Sequence, residues 1–274
     1  MATTRKRWRW LKIVILTPAC LVLVIGVCFW LWGEDRVNLG GTTYAIDAAR
    51  ILADLEKGQS DVFVRPAASD IYPEETETPV MWDEMDYLRV AQAAQERAWD
   101  DADYLRVSQV AQASIRESPL GTWRLTSMMF GFDCEYFDRG FQAAWLHYFQ
   151  NVRTSRLFGA RLESEVVVYP SEGRVFVNKN LYIPRLGTWK EIDLMAMETA
   201  AEDALAIAEE AGGREIRLGV RNACDGVVRF APDLQAEHWM VEYYRRSEDL
   251  ISPKTLATFF VSSRTGAVER VGKP

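Results

Sequence analysis

Histidine occurs only twice in the 274 residues, as His147 and His238, and cysteine four times, as Cys20, Cys28, Cys134 and Cys224. None of these forms the close ligand pair that a zinc site draws on, so no metal is expected. A serine or cysteine nucleophile needs a histidine oriented by a carboxylate, and no pattern orders such groups around either imidazole. No glycine-rich loop follows a strand to cradle a phosphate. Neighbouring acids such as Glu209-Glu210 and Asp100-Asp101 read as solvated helix faces. Neither catalytic residue nor cofactor is therefore expected, and the chain reads as a binding protein rather than an enzyme.

Positive charge is scarce beyond residue 32. The first 32 residues hold five cations and no acid, which leaves 27 basic against 39 acidic residues in the remainder, a net charge of −12. Nucleic acid is bound largely by cations that neutralise phosphates, so it is excluded as a partner. With nearly half of the chain apolar, there is ample material for one or two packed cores.

Charge is missing altogether from Ile13 to Trp32, twenty residues that as a helix would rise about 30 Å and cross a bilayer. Arg5, Lys6, Arg7, Arg9 and Lys12 precede this run and Gly33, Glu34, Asp35 and Arg36 follow it, which predicts a cytoplasmic amino terminus. A cleaved signal peptide shares the basic start, but its apolar core runs about 7–15 residues and ends at a small-x-small site. Here the run ends in Phe29, Trp30, Leu31 and Trp32, which suits an uncleaved anchor. The expected location is the cell membrane, single-pass and in contact with lipid through the span, with the carboxyl-terminal domain extracytoplasmic.

After the span, Ile46, Ala49, Leu52, Ala53 and Leu55 predict a helix from Tyr44 to Lys57. Pro66, Pro73 and Pro79 mark a linker over 59–79, with a short strand at Val62 to Val64. An internal copy follows: Trp82 to Gln95 and Trp99 to Gln112 are identical at ten of fourteen positions. Seventeen residues at about 100° each fall about 100° short of whole turns, so in one straight helix Tyr87 and Tyr104 face different ways. Either the helix breaks near Asp100-Asp101 or one copy packs while the other is exposed. The copy beginning at Trp99 is expected to lead into the folded part.

Beyond Asp103 the chain reads helix and strands, twice. The first helix, Asp103 to Glu117, precedes strands at Trp123 to Phe130, Phe141 to Phe149 and Leu162 to Tyr169, the last turning into Val175 to Val177. The second helix, Glu191 to Ala211, precedes strands at Ile216 to Arg221, Val227 to Phe230, Trp239 to Tyr243 and Leu256 to Ser262, with a final turn into Ala267-Val268. Cys134 matches Cys224, Trp145 matches Trp239 and Gly173 matches Gly266, at offsets of 90, 94 and 93 residues. Such spacing predicts a duplicated module of about ninety residues, each an antiparallel sheet with a helix across one face. In an oxidising compartment Cys134 and Cys224 would pair; otherwise each is a small buried hydrophobe.

Glu198 to Ala208, Trp239 to Tyr243 and Phe260 to Val268 together resemble a PepSY domain, with Ser262 and Ser263 standing where that family has an Asp-Ala pair. The resemblance implies a secreted or anchored α+β module tied to the restraint of peptidases or to cell-surface regulation, and it carries no catalytic residue. The expected architecture is thus α+β: a basic arm (1–12), a transmembrane helix (13–32), a juxtamembrane helix and linker (33–82), the duplicated helix with a first αβββ PepSY-like module (83–184), and a second such module (185–274). The expected function is an anchored protein-binding module that restrains or senses an envelope partner, a peptidase first. The alternative is an architectural subunit of an envelope complex without inhibitory role. Trp145, Tyr148, Trp239, Tyr243 and Tyr244 are the candidate binding face.

Overall fold

The structure, a computed structural model, describes residues 34–59, 62–65, 81–99, 123–152, 160–184, 190–232, 237–246 and 254–271. Period-two alternation of apolar residues builds a sheet. Its strands are β1 (Glu34–Ala45), β2 (Arg124–Asp133), β3 (Ala143–Val152), β4 (Ala160–Tyr169), β5 (Arg174–Pro184), β6 (Cys224–Phe230), β7 (His238–Arg245), β8 (Lys254–Ser262) and β9 (Val268–Val271). All neighbours run antiparallel, in the order β1-β5-β4-β3-β2-β6-β7-β8-β9. The helices are α1 (Ile51–Glu56), α2 (Glu84–Ala98), α3 (Ala201–Ala208) and α4 (Arg214–Gly219).

The expectation of two separate αβββ modules is corrected by the middle of this sheet. β2 and β6 pair along their lengths, Met128 with Phe230 through Asp133 with Asp225, so each satisfies the backbone groups the other would leave as a bare edge. The Cys134–Cys224 disulfide, with Cα atoms 5.3 Å apart, closes the end of that seam. The core is shared as well: Phe130 lies 6.4 Å from Trp239 and Phe132 5.4 Å from Tyr243, ring to ring. Each half supplies four strands rather than three, and the amino-terminal stretch read as helix and linker contributes β1. Tyr44 accordingly lies in a strand, and only Ile51–Glu56 of the predicted helix is helical. The Val62 to Val64 strand reduces to one bridge between Val64 and Ala45.

The membrane expectation is corrected too. Among the described residues no helix is long and apolar enough to cross a membrane. The longest, α2, has 15 residues and includes Glu84, Asp86, Arg89, Glu96 and Arg97, whereas a span needs about 20 apolar ones. Ile13 to Trp32, and with it the single-pass topology and the extracytoplasmic location read from it, lies outside the described residues.

The first copy of the duplicated segment forms a docked helix, α2, whereas the second was expected to lead into the folded part; beyond Trp99 that second copy lies outside the described residues. Asp83 caps α2 reciprocally with Asp86, its Oδ1 accepting from the Asp86 N–H at 2.8 Å. Tyr87, Val90, Ala91 and Ala94 are buried against the sheet, and the Tyr87 hydroxyl donates to the Phe141 carbonyl at 2.7 Å. At the other end, Lys179 Nζ donates to the Ala98 carbonyl at 3.1 Å, a cation at the negative end of the helix. Asp103 to Glu117 lies outside the described residues.

α3 buries Ala201, Ala204, Leu205 and Ala208, and its approach is held by Trp239 Nε1 donating to the Thr199 carbonyl at 2.8 Å. Gly212, at φ +119°, breaks the helix within a wide turn through Glu209–Gly213. The chain then continues as α4, so the alternation of Ile216 to Arg221 is helical rather than a strand. Arg217, reaching Glu209 at 2.9 Å and Asn222 at 3.1 Å, ties that turn together.

The amino-terminal ends of α2 and α3 meet. The Glu84 N–H donates to Glu202 Oε1 at 2.6 Å, and Glu84 Oε2 accepts from the Ala201 N–H at 2.7 Å, so each helix start is capped by the other's carboxylate. Burial pushes the Glu84 carboxyl up to about 7; the Ala201 hydrogen bond opposes this, and Glu202, Asp83 and Asp203 add to it.

Candidate functional site

Both long helices pack on one face of the sheet, and strand alternation delivers every second side chain to the other. Register places eight residues in one line across the first eight strands of the order on that open face: Thr43, Phe176, Val167, Trp145, Met129, Arg229, Met240 and Phe260. Six of the eight are apolar. Val167 and Met240 are nearly covered by their neighbours, Trp145, Met129, Arg229 and Phe260 are half-buried, and Phe176 is 37% exposed.

Two glycines let the large rings lie flat. A Cβ on Gly131 would stand 3.0 Å from the Trp145 ring, and one on Gly41 would stand 2.7 Å from the Phe176 ring. Trp145 also meets Tyr169 edge-on at 6.1 Å, and the Arg174 guanidinium lies 5.3 Å from the Tyr169 ring.

Polar groups border the line. On one side, His147 lies between two glutamates, Nδ1 at 3.8 Å from Glu163 and Nε2 at 3.9 Å from Glu165. These distances exceed a hydrogen bond, so they join an ion pair only when the imidazole is charged. On the other side, Glu242 accepts from the Tyr244 hydroxyl at 2.5 Å and from Thr258 Oγ1 at 3.4 Å. Arg246 reaches Asp133 at 2.7 Å, Asp225 at 2.8 Å and Glu135 at 3.5 Å. Asp225 first, and then Asp133, hold its guanidinium above the ordinary arginine range.

The five aromatic residues expected to form a binding face are divided between the two faces. Tyr148, Trp239 and Tyr243 point to the helix side and are buried; burial and Glu209, which accepts from the Tyr243 hydroxyl at 2.8 Å, push that phenol above its ordinary value. Trp145 and Tyr244 are on the open face, three strands apart. Met129, Arg229, Met240, Phe260 and Phe176 complete that face and were not singled out from sequence. The signal for them was the same alternation, read one residue along from Met128, Val228, Trp239, Phe259 and Val175.

His147 is on the open face, while His238 lines a hollow of about 430 Å³ beside the turn after β8, where Glu237 is paired with Arg264 at 2.7 Å. Among the described residues no group of three His, Cys, Asp or Glu side chains is placed to hold a metal ion. Thr126 Oγ1 is bonded to the His147 carbonyl, at 3.1 Å, and not to its ring.

No protein-family model matches the chain, and comparison with curated proteins and with solved structures finds no match either.

Proposed function

We propose that the chain is a protein-binding module that receives a polypeptide partner on the open face of its sheet. The observation that carries this reading is the apolar line from Phe176 through Trp145 and Met129 to Phe260, which no described helix covers. An antiparallel sheet packed on one side only leaves its second face to solvent or to another molecule. Rigid aromatic and methionine side chains supply contact area there, with Arg229 and Glu242 fixing orientation. The resemblance of 198–208, 239–243 and 260–268 to PepSY domains makes a peptidase the first partner to test and restraint the first effect.

The test adds purified full chain to peptidases of its own cell and follows their activity. Activity falls, and Trp145→Asp or Phe260→Asp, which place a charge on the apolar line, restore it. Peptidases that stay fully active, or that are restrained equally by these variants, contradict the reading.

A further inference from the structure

Arg229 stands at the middle of the open face and differs in its partners from two other half-buried arginines, Arg174 on that face and Arg217 on the helix side. In register it lies between Met129 on β2 and Met240 on β7. Its Nη2 is 3.8 Å from the Met240 sulfur, a weak acceptor. Its Nε is buried without an acceptor, and among the described residues no carboxylate lies within 4.0 Å of it. Arg174 and Arg217, also half-buried, each hold a carboxylate, Glu172 and Glu209 respectively. Glu242, the nearest acid along β7 on that face, is committed to Tyr244 and Thr258. A half-buried guanidinium with an unanswered donor, set among methionines, is an incomplete ion pair.

We propose that Arg229 selects the partner by reading a carboxylate that an extended partner segment presents between apolar side chains. This rests on the open face being the binding surface. The chemistry favours a carboxylate over a phosphate dianion, because Glu242 and Asp225 share the face and repel the second charge. The planar fork of arginine fits a carboxylate with two parallel hydrogen bonds. Methionine, tryptophan and phenylalanine on either side take the flanking apolar groups and exclude water from the pair.

The experiment selects a phage-displayed library of random dodecapeptides on the purified full chain. Selected peptides are then synthesised with both ends blocked, so that no terminal carboxylate stands in for a side chain. Enriched peptides carry Asp or Glu between apolar residues, and exchanging that Glu for Gln weakens binding to the native chain roughly tenfold or more. The same exchange changes nothing on Arg229→Met, and Arg229→Lys recovers part of the discrimination. An unshifted melting temperature shows that these variants are folded.

Peptides without an acid, or a Glu→Gln penalty that persists on Arg229→Met, overturn the assignment of Arg229. So does a phosphopeptide preferred over its carboxylate counterpart, or self-association of the chain that Arg229→Met abolishes. If Trp145→Asp and Phe260→Asp leave peptide binding intact, or no peptide is enriched, the open-face reading itself falls, and the Arg229 assignment with it.

Discussion

Two lines of residues cross the sheet one position apart and meet opposite fates. On the helix side run Tyr44, Val175, Val168, Ala144, Phe130, Val228, Val241 and Phe259, none more than 1% exposed. On the other side run their chain neighbours Thr43, Phe176, Val167, Trp145, Met129, Arg229, Met240 and Phe260. The covered line consists of close-packed residues, four of the eight being valine, with Phe130 at its centre and Tyr44 and Phe259 at its ends, as interiors require. The open line holds larger and softer side chains and one cation. Hydrophobicity alone scarcely separates the two; what does is the helix layer on one side and the unpaired Arg229 on the other.

The comparison is broken most severely at the seam. Reducing the Cys134–Cys224 bridge frees a loop of about ninety residues and costs about 4–5 kcal/mol in the chain-entropy model. Urea titrations with and without reductant check this. Next come adjacent residues of β8: Phe259→Ala costs about 3–5 kcal/mol, because it leaves a cavity under α3, whereas Phe260→Ala costs about 1 kcal/mol or less. Equal shifts of the two denaturation midpoints would show that the faces are not different in kind.

The helix layer also carries a pH signature. In the folded state the Glu84 carboxyl is raised to about 7, above its unfolded value near 4.5. Its contribution is therefore complete below about pH 4.5 and is lost as pH rises through 7, reaching about 3 kcal/mol by linkage. Glu84→Gln removes this slope between pH 5 and 8 in a stability profile. The smallest effect is at Arg229. Arg229→Met changes the unfolding free energy by less than about 1 kcal/mol, since among the described residues its charge has no carboxylate to lose.

Much of this contrast was readable from sequence, and the parts that were not have physical reasons. Alternation located β2 to β4 and β6 to β8 to within a few residues, and the start of β5 but not its run to Pro184, because one face of each strand is buried and polarity follows the pleat. The same rule failed at Ile216 to Arg221, where a short amphipathic helix after Gly212 gives a similar pattern over six residues. Trp99 to Gln112 was expected to lead into the folded part, yet it is Trp82 to Gln95 that forms α2; both copies carry the capping acids and the Tyr-Leu-Arg-Val anchor, so nothing local separates them. Nothing local announces that β2 and β6 pair, since pairing partners are set by long-range packing such as Phe130 against Trp239. Aromatic residues were legible as important; their face was not. Trp145 and Trp239 looked equivalent at matched positions, yet Trp239 is core and Trp145 lies on the open side.

Adjacent methionines on β2 give the most direct test that one face is core and the other is available to a partner. The folded full chain is treated with peroxide and each methionine's oxidation is followed by mass spectrometry, with Met195, 93% exposed, as the internal standard. Met129 is oxidised within the same experiment as Met195, though more slowly, while Met128 is spared until the chain unfolds. If Met129 is protected as fully as Met128, the face is already covered in the free chain, and the account is contradicted.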